Sequence, residues 1–483
     1  MTHIAPAANS VKVIENCRVS PPSGAVADQF LPLTFFDIQW LPLPPLQKLL
    51  FYEFHHSKAH FIETLIPHLK HSLSLTLKHF FPFTSNMIIP SSNSSKPQIR
   101  YVEGDSVSVT FSESSDDFNY LTGNQPRNAD QFYPLIPQIP EIYSTNVSGS
   151  GTIVVVPLAA LQVTVFPESG ICFGFAYHHV LADGKAFNCF MKSWASVAKF
   201  GGDAELLAGG YLPFCDRTMI KDPTGLDTIF LSQVCGERKL EELCQTQCPP
   251  RSSNNNVRAT FVISRTDVQR LKDSVMAHRG QQHSTVPLLH VSTFTVTCAY
   301  MWVCILKTRA STSVDKDVDE EDELDHFVVA ADCRERLDPP IPATYFGNCL
   351  APCFVTARHG QLMEEKEGFF VAVELFGEAI DKRLHKGEPE GVLKASETWL
   401  SDFNNLNMRR LMSLTGSPKI GIYEPDFGWG RPRKSEIVSI DITGGFSISE
   451  CRDSQGDVEF GVTFPKIAMD AFASIFANGL KLL

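Results

Sequence analysis

Apolar positions recur along this chain with two periods, and the changes of period mark its elements. Phe61, Leu65, Leu69, Leu73 and Leu77 step by four, which predicts a long amphipathic helix ending before Pro82. Residues 171–177 are apolar or small without a break and predict a buried strand. The Ala182-Asp183-Gly184 step after it is a turn signal. Phe187, Phe190, Met191, Trp194 and Val197 then return at helical spacing and form one apolar face. Lys185, Lys192 and Lys199 lie seven apart and share another face, expected to be solvated. Further strands are predicted at 11–19, 49–54, 259–263, 327–332, 437–448 and 457–464, and helices at 267–278, 292–309, 367–385 and 467–480. Residues 154–166 alternate and predict one strand leading into 171–177, while 99–102 and 106–111 predict a hairpin across Gly104-Asp105. Strands and helices mix throughout with no internal repeat, so the fold class is α/β.

A chain of 483 residues is too long for one core, and two domains are expected. The glycine-rich and then turn-like stretch 201–223 is read as the crossover between them. The units are set at 1–205, 206–230 (the crossover loop) and 231–483. A second soft stretch, 248–256, is read as a flexible loop, 91–95 as a polar turn and the acidic run 315–325 as a solvated loop. Hydrophobic residues make up 43 %, and the 35 Phe suit large cores and apolar clefts. The net charge of −12 argues against a nucleic-acid backbone or an anionic membrane as partner, but leaves room for an anionic ligand held by a few local cations. The thirteen cysteines show no CxxC pair and no Cys/His metal spacing, so no metal is expected and free thiols in a reducing compartment are the simplest reading. No secretory signal and no membrane-length apolar run is visible, which makes the cytoplasm the expected location.

One position stands out chemically. His179 ends the buried strand and precedes the glycine turn, where a rigid sheet presents a base to a cleft. Asp183 follows four residues later. The pair reads as a candidate general base with a neighbouring carboxylate, or as a packed histidine beside a turn aspartate.

Three motifs decide between these: His179-Val180-Leu181-Ala182-Asp183, Tyr345-Phe346-Gly347-Asn348-Cys349 and Asp426-Phe427-Gly428-Trp429-Gly430. Together they resemble the plant BAHD acyltransferases, which move acyl groups from coenzyme A thioesters. The middle motif resembles the anthocyanin and flavonoid-glucoside branch, as do 31–38, 73–77, 212–217, 292–302 and 332–340. The resemblance implies two similar mixed-sheet α/β domains of the chloramphenicol-acetyltransferase kind. A crossover loop joins them, a solvent channel runs between them with the histidine at its centre, and a segment of the second half returns to the first. It implies that Asp183 points away from the channel and pairs with Arg334, and that Asp426 has a structural role. Tyr345 to Cys349 reads as a turn on the channel wall.

By the same resemblance Thr415 is the oxyanion candidate, and Ser292, Thr293, Phe294 and Arg258 are candidates for contacting coenzyme A. An N-cap at the start of a helix is an equal reading of Ser292. The activity implied is O-acyl transfer from an acyl-CoA co-substrate, with no permanently bound cofactor, to a sugar hydroxyl of an anthocyanin or flavonoid glycoside. His179 would be the base and no serine or cysteine nucleophile would be needed. The partners expected are these two substrates, with no nucleic acid and no membrane, and the enzyme is expected to be a monomer. Phe187 and Met191 are candidates for an acyl pocket. Their face carries no cation, so a flat hydroxycinnamoyl group is the expected donor. A malonyl donor would require an Arg or Lys beside its carboxylate. The alternatives are a malonyltransferase, or a non-catalytic ligand-binding protein on the same fold.

Overall fold

A computed structural model describes residues 10–90, 96–147, 151–210, 212–236, 238, 240–244, 255–281, 291–312, 321–384 and 391–482. The 91–95 turn, nearly all of the 248–256 loop and positions 315–320 of the acidic run lie outside these residues.

Three sheets form among the described residues. The first is mixed and six-stranded, in the order Val11–Val19, Val107–Ser114, Ala159–Phe166, Gly170–Tyr177, Leu46–Glu53 and Lys434–Ile437. Its two central strands, Ala159–Phe166 and Gly170–Tyr177, are buried at every residue, which explains why the second reads as an unbroken apolar run. The helices Ile66–Leu77 and Gly184–Phe200 cover one face. They meet where the Trp194 indole donates to Ser72 Oγ at 3.1 Å. On the other face Phe51, Phe118, Phe132 and Phe166 make a smaller aromatic cluster. Gly174 is obligatory there, because a Cβ would overlap the Leu135 carbonyl.

The second mixed sheet is seven-stranded: Leu350–Arg358, Leu324–Asp332, Leu411–Gly416, Phe446–Glu450, Val458–Pro465, Asn256–Ile263 and Arg127–Asn128. The buried helix Thr293–Thr312 packs on it with Gly368–Leu384 and Lys466–Leu482. Each large sheet therefore ends on a strand from the other half of the chain. Lys434–Ile437 pairs antiparallel with Leu46–Glu53, and Arg127–Asn128 pairs with Asn256–Ile263. The third sheet, of five strands, belongs to the first half.

Three expectations are corrected here. The 99–111 stretch is no hairpin. Gln98–Tyr101 joins the five-stranded sheet and Val107–Ser114 the six-stranded one, although the turn between them is real, with Asp105 N–H donating to Val102 O. Residues 154–166 are two strands, Gly151–Pro157 and Ala159–Phe166, in different sheets; Pro157 has no N–H to continue a ladder. Residues 437–448 hold the end of one strand, the short helix Ile440–Thr443 and the start of another, divided at Gly444-Gly445.

Candidate active site

His179 stands two residues beyond the end of Gly170–Tyr177 and keeps part of its surface exposed. The next helix, Gly184–Phe200, starts on Asp183, whose carboxylate caps it by accepting from Ala186 N–H at 2.9 Å. The same carboxylate lies 2.8 Å from Arg334 and accepts from Cys349 N–H at 3.3 Å. Both ionic partners are buried, Asp183 at 1 % exposure and Arg334 at 0 %. Arg334 also donates to the carbonyls of Tyr345 and Gly347, each at 3.1 Å. Asp183 and Arg334 thus hold the Tyr345–Cys349 turn against the start of the helix.

That turn delivers the group that faces the imidazole. Asn348 Oδ1 is 3.1 Å from His179 Nδ1. Asn348 Nδ2 donates to His179 O at 2.8 Å and to Asp37 Oδ1 at 3.0 Å. With both carbonyl-type acceptors claimed by the amide nitrogen, the oxygen must accept from Nδ1–H of the imidazole. The network therefore assigns the proton to Nδ1 and leaves the lone pair on Nε2. Asp37, fully buried, is itself held by Thr34 N–H at 2.9 Å, Thr34 Oγ1 at 2.7 Å and the guanidinium of Arg217. Arg217, on the segment read above as the crossover, approaches so closely that a Cβ on Gly347 would sit 3.0 Å from its guanidinium carbon. Trp40 stacks on the other surface of His179, ring centroids 3.9 Å apart and planes 8° from parallel.

Burial pushes the His179 imidazole below its ordinary value, while its own backbone, Asp183, Asn348 and Asp37 pull it back. An imidazole neutral at pH 7 results. His178, buried behind it, is pushed down to about 4 by burial and by the neighbouring His179. Burial raises the thiols of Cys333, Cys349 and Cys353, so none is a ready nucleophile.

The other expected residues are placed as follows. Thr415 is on the strand Leu411–Gly416. The loop after it reaches the histidine's helix, where the carbonyls of Ile420 and Gly421 accept from Asn188 Nδ2 at 2.7 and 3.0 Å. Ser292 caps the helix Thr293–Thr312 by accepting from Thr295 N–H at 3.0 Å. Thr293 Oγ1 accepts from Lys272 at 3.0 Å, and Phe294 is half-buried against the second core. Arg258, 1 % exposed, is enclosed by Glu436, Asp441 and the Ile437 carbonyl. Phe187 and Met191 are closed into the first core at 0 % exposure. Asp426 accepts from Gly428 and Gly430 N–H at 2.8 and 2.9 Å and pairs with Lys199 at 2.7 Å. Both glycines have positive φ, 102° and 97°, as this tight ring of donors requires. Phe427 stacks on Phe173 in the first core.

Asn348, Asp37 and Trp40 were not foreseen as site residues. Two of them carried a signal: Asp37 is a lone carboxylate in an apolar run, and Asn348 a lone amide in another. Such groups need buried partners.

Comparison with known proteins gives the class. The chain belongs to the Transferase family, the BAHD acyltransferases, whose family model matches residues 9–478. It is an acyl-transferring enzyme. It is 42 % identical to malonyl-coenzyme A:anthocyanin 3-O-glucoside-6''-O-malonyltransferase of Dahlia pinnata, over 98 % of both chains. It is 38 % identical to coumaroyl-CoA:anthocyanidin 3-O-glucoside-6''-O-coumaroyltransferase 1 of Arabidopsis thaliana, over 97 % of both. The fold is similar to that of the crystal structure of vinorine synthase, with a TM-score of 0.64 over 95 % of this chain and 96 % of that one at 18 % identity. Among the described residues no helix is long and apolar enough to cross a membrane.

Proposed function

We propose that this protein transfers an acyl group from an acyl-CoA to a sugar hydroxyl of an anthocyanin or flavonoid glycoside, by direct attack within a ternary complex. The observation that carries the reading is the oriented Nδ1–H tautomer of His179, which leaves Nε2 free as a base. Nε2 takes the proton of the sugar hydroxyl as its oxygen attacks the thioester carbonyl. The C–S bond of the tetrahedral intermediate breaks, and the imidazolium returns its proton to the departing thiolate. The products are the acylated glycoside and free coenzyme A. Thr415 is the proposed source of an oxyanion contact, and Ser292, Thr293 and Phe294 of contacts to coenzyme A. The names of the relatives support both the acyl-CoA co-substrate and the glucoside acceptor. A monomer in the cytoplasm fits this role. A non-catalytic binding protein would have no use for a base oriented on both edge and face.

For the donor, a malonyl group is the better supported reading. Phe187 and Met191 offer no surface to a cinnamoyl ring. The malonyltransferases of Dahlia pinnata and Nicotiana tabacum, each 42 % identical to this chain, support the malonyl reading. A hydroxycinnamoyl donor is the second reading, supported by the Arabidopsis coumaroyltransferases at 38 and 37 % identity.

Competition between malonyl-CoA and coumaroyl-CoA for one anthocyanin glucoside, read by mass spectrometry, tests both levels. A higher kcat/KM for coumaroyl-CoA overturns the malonyl reading. Absence of any ester from a wider set of acyl-CoAs and glycosides overturns the transfer reading. His179→Ala should lose about two to four decades of turnover while still binding acyl-CoA.

A further inference from the structure

The tryptophan on His179 has no part in the proton path described above, yet its placement is strict. Trp40 follows the short helix Phe35–Ile38, and its N–H donates to the Asp37 carbonyl at 3.1 Å. Its indole Nε1–H is buried with no hydrogen-bond partner among the described residues, so no hydrogen bond to them dictates the pose. One short segment therefore grips the histidine twice, on its edge through Asp37 and Asn348 and on its face through Trp40.

An aromatic face attracts a cation placed over it, while a neutral ring gains little beyond dispersion. His179 is neutral before it takes the hydroxyl proton and cationic afterwards. The stack at 3.9 Å and 8° therefore strengthens as the reaction proceeds, and only such contacts lower the barrier. The charged neighbours do little to replace it. Asp37 and Asp183 act on the imidazole through their charge without touching it, and each is paired with a buried arginine, Arg217 and Arg334. His178 is buried beside it, and Asn348 carries no charge.

We infer that Trp40 is a positioning residue that fixes the plane of His179 and stabilises the imidazolium formed when the base takes the acceptor's proton. The inference rests on the reading of His179 as that base. The test is the pH dependence of kcat/KM for wild type, Trp40→Leu and Trp40→Phe, with His179→Ala alongside. Loss of the indole face should move the acid limb down by about 0.5 to 1.5 pH units in Trp40→Leu, and by less in Trp40→Phe. Turnover should fall by about 3- to 30-fold in Trp40→Leu. An acid limb that stays in place in a folded Trp40→Leu enzyme overturns the inference even if turnover drops, because lost alignment alone slows the reaction without moving the limb. If Trp40→Leu does not fold, a fluorinated tryptophan at position 40 keeps the shape and drains the face of electron density. An unmoved limb there is equally fatal. Near-normal turnover in His179→Ala would instead remove the base itself, so the two failures are distinguishable.

Discussion

Asn348 Oδ1 faces His179 Nδ1 at 3.1 Å, while the carboxylate four residues after the histidine is turned to Arg334. The partner of the imidazole is thus a neutral amide from the second half of the chain. A carboxylate in that place would stabilise the imidazolium more strongly, but would have to share the site with the buried Asp37. An amide satisfies both sides at once, donating to Asp37 and accepting from the imidazole.

Asn348→Ala should therefore lower kcat by about 10- to 100-fold with little change in KM, since the ring loses its orientation and tautomer. The acid limb of kcat/KM should move down, because the hydrogen bond to Asn348 raises the imidazole's affinity for a proton. Asn348→Asp should not restore activity, because it sets two carboxylates side by side. Steady-state kinetics across pH 5 to 9 (about that range) would check this, and wild-type activity in either variant would refute it.

Asp183→Asn should act on stability first. It leaves the Arg334 guanidinium buried with half its charge compensation gone, a loss of about 3–5 kcal/mol. The Tyr345–Cys349 turn should loosen with it, so activity falls through Asn348. A clear drop in Tm by calorimetry is expected; an unchanged Tm with abolished turnover would instead make Asp183 part of the proton path.

How much of this was legible depends on which interactions are local. The strand before His179, the helix after it and its Asp183 start could be read because burial pattern and turn chemistry act over a few residues. Sheet membership could not: the turn at Gly104-Asp105 is real, yet the strands it joins enter different sheets. Charge partners were equally hidden. Lys185, Lys192 and Lys199 share one face as their spacing requires, but meet Asp332, Glu424 and Asp426 from the second half rather than water alone. Asp325 closes an acidic run read as solvated, yet it is buried between His359 at 2.6 Å and Arg410 at 3.0 Å. Asn348 escaped for the same reason, since its partners are 169 and 311 residues away.

His178 gives a pH dependence of stability. Its folded value is about 4, below the unfolded 6.5. The unfolded chain therefore takes up a proton that the folded one refuses, and stability is lost as the pH falls from about 6.5 towards 4. The full difference amounts to about 3 kcal/mol. Denaturant melts at pH 7 and pH 5 would show it, and His178→Gln should flatten the slope if its amide fits the site. An equal slope in a folded His178→Gln protein would assign the effect elsewhere.

Arg258 separates a ligand role from a structural one. The resemblance makes it a candidate for coenzyme A, but its guanidinium sits between Glu436 and Asp441 under the Phe132 ring. Glu436 also pairs with Arg127 at 2.7 Å. Burial alone would raise the Glu436 carboxyl, yet Arg127, Arg258 and Lys434 outweigh it and hold it at about 2. Arg127 comes from one of the strands exchanged between the sheets and Lys434 and Glu436 from the other, so the cluster fastens one half of the chain to the other. Arg258→Gln should lower Tm by several degrees, because it leaves carboxylates buried without their cation. The KM for acyl-CoA should stay within about twofold of wild type if no phosphate reaches the guanidinium. A KM raised about tenfold or more at unchanged Tm would return Arg258 to the coenzyme site and require the cluster to open when acyl-CoA binds.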